Sequence, residues 1–324
     1  MSELRWNPLL KTYTIVAANR QSRPNLEKNI CPFCPGSGKV PDHYDVHLYA
    51  NDFPALSTNA SAVESNNSIY SKEESYGVCE VVLYSPEHSK TLPELAEDHL
   101  YKLVQLWTDR TAKIASDPKI KYVFVFENRG EEVGCTMSHP HGQIYGYPFV
   151  PLKLKTELDA CKEYNEQNGR NMLLDINEEE IKVGSRLLFE NDSFLSFLPF
   201  FTDYPYGVFI SSKKKKGSFL DFTEKEKMDL AAMLKAVCGG LDTLFNKPFP
   251  YMMCVHQTPF NSEEYNNSEE YFNFHIEFYP PLRNENTIKF YASSEMGAWA
   301  ATNTREVEDT AKELRSAIHK FLDK

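Results

Sequence analysis

Residues 123–147 read VFVFENRGEEVGCTMSHPHGQIYGY and contain the pattern from which the fold can be predicted. Its β-branched and aromatic beginning predicts a strand, its glycines and polar residues predict a turn, and its end predicts a second strand that carries a His-x-His motif. The same order recurs at residues 251–278, where YMMCV and FHIEF predict two strands and the second carries His-x-Glu. This recurrence indicates that one supersecondary unit is present twice.

Further elements with matching order precede each of these strand pairs. They are a strand at 80–84 and a helix at 92–115 in the first half, and strands at 194–198 and 206–210 and a helix from Thr223 to Gly239 and Gly240 in the second. The helices are indicated by apolar residues at helical spacing and, for the second, by an N-cap threonine. We therefore predict an ancient duplication of one αβ unit, with its junction in the polar, charge-dense segment 160–185.

Composition limits the classes of protein to consider. The chain has 324 residues, with 35 Lys and Arg against 46 Asp and Glu, which gives a net charge of −11. At roughly 150 residues per domain, the length corresponds to about two domains. The sequence has no apolar run long enough for a membrane span and no signal-peptide pattern at its N-terminus. We expect a cytoplasmic enzyme that binds neither nucleic acid nor membranes.

The histidine motif is the sharpest chemical signal. If its backbone is extended, His139 and His141 point to the same side of the strand. Two assignments fit: both imidazoles bind a metal ion, or one binds the metal and the other attacks as a nucleophile. Neutral imidazole predominates near pH 7 and is a good nucleophile towards phosphorus. The polar, glycine-containing loop before the motif offers backbone N–H groups to phosphate oxygens.

Two cysteines stand apart from the other five. Cys31 and Cys34 form a Cys-x-x-Cys pair, which in a reducing compartment indicates a metal site. A redox pair and an inert turn are the alternatives. Two thiolates and two imidazoles form a tetrahedral zinc site. Since Cys34 and His139 lie far apart in the sequence, such a site would join distant segments rather than form a compact zinc finger.

Several segments together resemble the galactose-1-phosphate uridylyltransferase family of the histidine-triad superfamily. They are CPFC, NDFPAL, SPEHSKTLPEL, FENRG, HPHGQIYGYPFVP, HIEFYPPLR and KFYASSEM. The resemblance implies an α+β fold with two histidine-triad-like halves, each a mostly antiparallel sheet with flanking helices, and a homodimer. We place the N-terminal domain at residues 1–170 and the C-terminal domain at residues 171–324.

The resemblance also implies a zinc site and a mechanism. The zinc ligands would be Cys31, Cys34, His88 and His139. His141 would attack the α-phosphorus of UDP-glucose and expel glucose 1-phosphate, and galactose 1-phosphate would then take the uridylyl group from the histidine. Gln143 would donate to the phosphoryl oxygens as charge builds. Zinc would be structural, because four protein ligands leave no open position.

Substrate contacts follow from the same motifs. At the nucleotide end they are Arg20, Arg23, Asn51, Asp52, Asn128, Gly134, Cys135, Thr136 and Gln143. At the hexose end they are Lys289, Phe290 and Glu295. Arginine suits bidentate phosphate recognition, and aspartate suits ribose hydroxyls. Without the resemblance, the two arginines would count as ordinary surface residues.

The sequence departs from the family pattern at two places. Ser293-Ser294 precedes Glu295-Met296 where many members have Gly-Tyr, so a tyrosine hydroxyl near the sugar phosphate is missing. Some members hold a second metal with one glutamate and three histidines, and the matching residues are Glu157, His256, His275 and Glu277. Two histidines and two carboxylates still suit iron or zinc. The alternative is a hydrogen-bonded polar cluster.

The sequence thus predicts a nucleotidylyltransferase that exchanges UMP between UDP-glucose and galactose 1-phosphate. One alternative resembles ADP-glucose phosphorylase, which forms an adenylyl-histidine and passes it to inorganic phosphate. A second alternative, from another class, is a nucleotide-binding or zinc-scaffold protein without turnover. His141 beside Gln143 argues against a protein that only binds, because binding does not need the second histidine of the motif.

Overall fold

The computed structural model of the chain describes residues 2–18, 20, 31–64, 69–135 and 137–324, so Arg23 and Thr136 lie outside the described residues. The strands are β1 (Ser2–Asn7), β2 (Thr12–Ala17), β3 (His47–Ala50), β4 (Lys72–Glu74), β5 (Val78–Leu83), β6 (Tyr122–Arg129), β7 (His141–Tyr147), β8 (Leu187–Glu190), β9 (Phe194–Phe197), β10 (Phe209–Ser212), β11 (Tyr251–His256), β12 (His275–Tyr279), β13 (Leu282–Asn284) and β14 (Thr287–Ile288). The helices are α1 (Glu97–Ala115), α2 (Leu152–Asn168), α3 (Met172–Val183), α4 (Glu224–Phe245), α5 (Ser293–Gly297) and α6 (Val307–Leu322).

Nine strands form one sheet in the order β3-β5-β7-β6-β11-β12-β10-β9-β8, and each neighbouring pair is antiparallel. The first half of the chain supplies the first four strands and the second half the other five. The halves meet where β6 pairs with β11, with Arg129 opposite Tyr251 and Phe126 opposite Cys254. On either side of this junction the order is mirrored, β6-β7-β5 against β11-β12-β10. The α+β fold with two similar halves is therefore confirmed.

The hydrophobic core lies on the face of the sheet that α1 and α4 cover. It is continuous across the two halves, from Val82, Trp107 and Ile144 in the first to Leu234 and Ile276 in the second. Each of these side chains is fully buried. Burying one large apolar side chain contributes about 1.5–3 kcal/mol to stability. Both halves thereby share one hydrophobic core. Among the described residues, no helix has the length and apolarity that a membrane span requires.

Strand alternation assigns the polar residues of β7 to the opposite face, which we call the site face. Gly142, Ile144 and Gly146 point towards the helices, and a Cβ on Gly146 would lie 2.6 Å from the Ile114 side chain. His141 and Gln143 therefore lie on the site face. The same alternation in β12 buries Ile276 in the core and leaves its histidine and glutamate on the site face.

Three element boundaries differ from the sequence prediction. The first helix begins at Glu97 rather than at residue 92, because the backbone at Leu95 and Ala96 is extended after a short 3-10 turn that contains Pro93. The predicted strand at 206–210 begins only at Phe209. The polar segment at 160–185 forms most of α2 and α3, so the proposed domain boundary at 170/171 lies between two helices.

The fourth helix continues through Gly239 and Gly240, where the sequence predicted its end. It runs to Phe245 and is ended by Asn246 in the left-handed conformation. The two glycines permit close packing against α6: a Cβ on Gly239 would lie 2.3 Å from the Phe321 ring, and one on Gly240 would lie 2.2 Å from the Ile318 side chain. These glycines therefore serve helix–helix contact rather than helix termination.

We expect Gly240→Ala to lower the free energy of unfolding by about 1–3 kcal/mol, because the added methyl group would overpack the contact with α6. Helix propensity alone would favour alanine by about 1 kcal/mol. The control is Gly297→Ala, since a Cβ there would meet no atom within 4 Å. Urea unfolding measures both variants, and a stabilised Gly240→Ala protein would contradict the close approach of the two helices.

Candidate active site and metal clusters

A pocket of about 260 Å³ lies on the site face at the ends of β3, β6 and β7. Most sequence-predicted residues at the nucleotide end line this pocket, namely Arg20, Asn51, Asp52, Asn128, Gly134, Cys135 and Gln143, together with His141. They come from segments spread over more than a hundred residues. Because β3, β5, β7 and β6 are neighbours in the sheet, the fold brings these segments together at one edge.

His141 is the first residue of β7, and its ring is oriented by the backbone. The ring atom Nδ1 lies 2.8 Å from the His139 carbonyl oxygen, so Nδ1–H donates to it. This contact assigns the proton to Nδ1 and the lone pair to Nε2. Half-buried in the pocket wall, His141 therefore presents the tautomer that a nucleophile requires.

Polar side chains around His141 are held in fixed orientations. The Gln143 carbonyl oxygen accepts a hydrogen bond from the Tyr145 hydroxyl at 3.0 Å, so its amide N–H groups are the donors for a ligand. The Tyr49 hydroxyl donates to the Asp52 carboxylate at 2.9 Å. The Asn51 side-chain oxygen accepts from the Phe53 N–H at 2.9 Å, which fixes the turn after β3.

The sequence did not single out the apolar walls of this pocket. Phe33, Tyr49, Val81 and Met137 line it, and the Phe33 ring lies 5.7 Å from the His141 ring and 5.3 Å from the Tyr49 ring. A signal was available for two of them, because Phe33 lies between the paired cysteines and Tyr49 shares a strand face with Asn51.

The four predicted zinc ligands form a cluster beside the pocket. The ligand atoms of Cys31, Cys34, His88 and His139 all lie within 4.8 Å of one another. His139 Nδ1 lies 3.7 Å from each sulfur, and His88 Nδ1 lies 3.4 Å from Cys34 Sγ. Tetrahedral zinc with ordinary Zn–S and Zn–N bonds would separate a sulfur and a nitrogen by roughly 3.5 Å. The residues therefore fit a zinc ion.

The surroundings of the cluster also suit a metal. His139 Nε2–H donates to the Ser85 carbonyl oxygen at 2.8 Å, which leaves Nδ1 as the ligand atom. Burial lowers the pKa of His139 to about 4, so its ring is neutral at pH 7. Burial and the neighbouring Cys31 raise the pKa of Cys34 above its ordinary value, so a nearby cation is needed to keep the Cys34 sulfur as a thiolate at pH 7.

A second cluster lies on the same face in the other half of the sheet. The ligand atoms of Glu157, His256, His275 and Glu277 lie within 4.8 Å of one another. His256 Nδ1 lies 2.6 Å from a Glu157 oxygen, and His275 Nε2 lies 3.3 Å from a Glu277 oxygen. His275 Nδ1–H donates to the Asn273 carbonyl oxygen at 3.0 Å, so Nε2 faces the carboxylate.

A lysine that was not predicted from the sequence compensates negative charge in this second cluster. Lys153 Nζ lies 2.6 Å from Glu277 Oε2, and the Tyr279 hydroxyl also contacts that oxygen. Burial opposes ionisation of Glu277, but His256, His275 and Lys153 hold its pKa well below the usual range. Burial would lower the pKa of His275, yet the carboxylates raise it. The donor set fits a divalent metal whose carboxylate ligand is oriented from outside by Lys153.

The residues predicted for the hexose end do not line the pocket that contains His141. Lys289 is buried, and its ammonium donates to the Asp203 carbonyl oxygen at 2.8 Å and lies 4.4 Å from the centre of the Tyr291 ring. Phe290 is exposed and Glu295 is partly buried. The structure thus brings the nucleotide-end residues together and leaves the hexose-end segment on another part of the surface.

Comparison with known sequences identifies the family. The profile of the galactose-1-phosphate uridyl transferase N-terminal domain matches residues 2–151, and the profile of its C-terminal domain matches residues 157–322. A galactose-1-phosphate uridylyltransferase of Thermotoga maritima is 39% identical over 97% of this chain and 98% of its own length. The Haemophilus influenzae protein of the same name is 30% identical over 97% of this chain and 95% of its own length.

Solved structures give the same result. A structure described as uridylyltransferase has a TM-score of 0.89 and 29% identity, and the match covers 98% of this chain and 99% of that one. An ADP-glucose phosphorylase of Arabidopsis thaliana with bound ADP-glucose has a TM-score of 0.75 and 27% identity over 97% of this chain and 99% of its own. Both domain profiles and the full-length relatives thus agree: this chain belongs to the galactose-1-phosphate uridyl transferase family.

Proposed function

We propose that the protein is a nucleotidylyltransferase that exchanges UMP between UDP-glucose and galactose 1-phosphate, giving UDP-galactose and glucose 1-phosphate. The observation that carries the proposal is the orientation of the His141 ring. Its Nδ1–H donates to the His139 carbonyl oxygen, so the lone pair is on Nε2, and the ring lines a pocket together with Gln143 and Asp52. The curated relatives that match over nearly the full chain bear the name of this activity.

The reaction proceeds in two displacements at the same phosphorus. His141 Nε2 attacks the α-phosphorus of UDP-glucose, a P–N bond forms, and the bond to the bridging oxygen breaks as glucose 1-phosphate leaves. Galactose 1-phosphate then attacks the uridylyl-histidine through a phosphate oxygen, and the P–N bond breaks. Throughout both steps, His141 Nδ1–H remains hydrogen-bonded to the His139 carbonyl oxygen. This hydrogen bond stabilises the positive charge that develops on the ring.

The other pocket residues bind and orient the nucleotide. The Gln143 amide donates to the phosphoryl oxygens, because its carbonyl oxygen is engaged by Tyr145. Arg20 supplies positive charge for the phosphates, and Asp52 accepts hydrogen bonds from the ribose. Asn51, Asn128, Gly134 and Cys135 complete the pocket. Arg23 and Thr136 keep their predicted roles as nucleotide contacts.

Zinc has a structural role in this proposal. Cys31, Cys34, His88 and His139 would hold it, and the bound ion supplies folding free energy by joining the loop of the cysteine pair to the strand that presents His141. The Ser85 carbonyl oxygen accepts a hydrogen bond from His139 Nε2–H and so orients the neutral ring with Nδ1 towards the cysteines. A second metal, iron or zinc, belongs at Glu157, His256, His275 and Glu277, with Lys153 outside the ligand set.

We further propose that the protein is a cytoplasmic homodimer, with domains that divide near residue 170. Large apolar side chains are exposed in two adjacent segments, at Phe200 and Phe201 and at Phe290, Met296 and Trp299. Asn303, which follows the second segment, donates to the Thr202 carbonyl oxygen, so the two segments lie close together. A contiguous apolar patch indicates a protein interface. A partner copy can bring Lys289, Phe290 and Glu295 to the hexose end of the pocket.

We expect His141→Gly to reduce UMP transfer by at least about 10⁴-fold, because the covalent step loses its nucleophile. The melting temperature should not change, since the ring lies at a pocket wall. His43→Gly removes an exposed histidine and is the matched control. Conversion of UDP-glucose and galactose 1-phosphate to UDP-galactose measures both variants. Full activity in His141→Gly would remove this residue as the nucleophile.

Label transfer from the two nucleotide sugars separates the leading function from its alternatives. We expect UDP-glucose labelled in its α-phosphate to leave acid-labile, base-stable label on the protein, and ADP-glucose to leave much less. The reverse preference would favour an ADP-glucose phosphorylase. No label from either substrate on zinc-replete protein would leave only a binding function.

Zinc removal should lower stability as well as activity. We expect Cys31→Ser to lower the melting temperature by at least about 5 °C, because a structural zinc contributes folding free energy and roughly 1 kcal/mol corresponds to a few degrees in chains of this size. Cys254→Ser, which removes a thiol outside both clusters, should retain zinc by elemental analysis. An unchanged melting temperature in Cys31→Ser would count against the zinc assignment.

Elemental analysis also tests the second cluster. We expect His256→Ala to lose one equivalent of iron or zinc per chain, while zinc at the cysteine cluster stays bound. The opposite result would be a single metal equivalent in the purified protein that is lost in Cys31→Ser and kept in His256→Ala. It would show that the second cluster is a polar network in which Lys153 and a protonated imidazole balance the carboxylates.

A further inference from the structure

We propose that Glu127 and Tyr84 form a buried support beneath the strand that carries His141, and that Glu127 must be uncharged for fast transfer. The proposal concerns positioning residues on the helix-covered face of the sheet, which no substrate touches. It rests on the proposed function for its kinetic readout, and a spectroscopic readout is independent of that function.

Glu127 lies directly below the nucleotide pocket. Strand alternation in β6 places Asn128 in the pocket and Glu127 on the opposite face, where its side chain is 5% exposed. One carboxyl oxygen accepts a hydrogen bond from the Tyr251 hydroxyl at 3.3 Å. The other carboxyl oxygen is fully buried and makes no hydrogen bond within the described part of the chain, and the same holds for the hydroxyl of Tyr84, which faces Glu127.

Tyr84 touches the residues on both sides of the nucleophile. Its N–H donates to the Pro140 carbonyl oxygen at 3.0 Å, and its own carbonyl oxygen accepts from His99 Nε2–H at 2.6 Å. Its hydroxyl packs against Gly142, where an added Cβ would lie 2.2 Å from the hydroxyl oxygen. The Tyr84 ring therefore fills the space that a side chain at 142 would need, and any shift of its hydroxyl acts on the backbone next to His141.

The buried pair needs a proton. If Glu127 is ionised, the Tyr84 hydroxyl is the one donor available between its oxygen and that of the carboxylate. Burying a charged carboxylate with so few hydrogen-bond donors costs free energy. A protonated Glu127 supplies a second O–H group, so the carboxyl can donate to the Tyr84 oxygen and still accept from Tyr251. Neutral Glu127 also keeps negative charge out of the layer beneath a pocket that binds phosphate anions.

The surrounding charges agree with this state. Burial raises the pKa of Glu127 to about 7, while Arg129 and the two tyrosine hydroxyls oppose the shift. Arg129 is the largest of these opposing influences, but it makes no ion pair with Glu127, because both of its terminal nitrogens donate to the Asp242 carboxylate at 2.9 Å. The titratable groups that face Glu127 from its own and neighbouring elements are Arg129 on β6, Tyr84 next to β5, Tyr251 on β11, and Cys238 and Asp242 on α4.

This arrangement predicts the direction of two pH effects. As the pH rises through 7, Glu127 ionises, the Tyr84 hydroxyl must turn to donate to it, and transfer slows. Stability follows the same direction: the unfolded chain releases this proton near pH 4.5 and the folded chain near pH 7, so between these values the unfolded state binds fewer protons and stability falls as the pH rises.

Steady-state kinetics between about pH 6 and 9 tests the proposal with four proteins. In the wild type, kcat should fall on the alkaline side with a midpoint near the pKa of Glu127. Glu127→Gln keeps the shape and the hydrogen bonds without a charge, so its alkaline fall should disappear while KM stays within about twofold. The control is Glu80→Gln, which removes a β5 carboxyl that is paired with Arg110 on α1, and it should behave as the wild type does.

Tyr84→Phe gives a sharper prediction. The Tyr84 hydroxyl lowers the pKa of Glu127, so its removal should move the alkaline fall of kcat to higher pH. A residue with a merely structural role would lower kcat at every pH and leave the profile in place. The proposal is overturned if Glu127→Gln keeps the wild-type alkaline fall, or if Tyr84→Phe leaves its position unchanged.

Infrared difference spectroscopy keeps the test independent of the enzymatic assay. A pH step from about 6 to 9 should remove one buried carboxylic-acid C=O band in the wild type, and that band should be absent from Glu127→Gln. A protein that shows this band but transfers no UMP would contradict the proposed function and leave the protonation state of Glu127 established. A protein that transfers UMP but lacks the band would contradict the present inference alone.

Discussion

The extended segment from His139 to His141 is the constraint on which the rest of the site depends. Its first ring points Nδ1 at the cysteine cluster, and its backbone carbonyl accepts the proton of the second ring. The place of the proposed metal and the orientation of the proposed nucleophile are therefore two consequences of one backbone conformation. The pairing of β7 with β5 and β6 holds that backbone from both sides, and Tyr84 holds its middle through the Pro140 carbonyl.

The second half of the chain retains this geometry and uses it differently. His275 begins β12 as His141 begins β7, and its Nδ1–H also donates to the carbonyl oxygen two residues earlier. Instead of an open pocket, its Nε2 faces Glu277, with His256 and Glu157 nearby. The residue that corresponds to the proposed nucleophile therefore belongs to a candidate metal cluster. One repeated unit thus gives the pocket of the proposed nucleophile in one half of the sheet and a cluster of histidines and carboxylates in the other.

Much of this organisation could be predicted from the sequence, because it depends on local pattern. The period of residues 121–126 and 251–255 indicated strands, and the His-x-His spacing placed two rings on one side. The sequence could not show that α4 passes through Gly239 and Gly240, because the reason is contact with Phe321 and Ile318 on a distant helix. Lys153 beside Glu277 and Tyr84 beneath Gly142 were missed for the same reason. Their partners lie far away in the sequence, and only the sheet order brings them together.

The central claim is that His141 forms a covalent bond to the uridylyl group. The most direct measurement is peptide mass spectrometry of the protein after incubation with UDP-glucose alone, under conditions that preserve phosphoramidates. We expect a uridylyl adduct on His141 that disappears when galactose 1-phosphate is added. An adduct on another residue, or UDP-galactose formation by a protein that never carries the adduct, would contradict it.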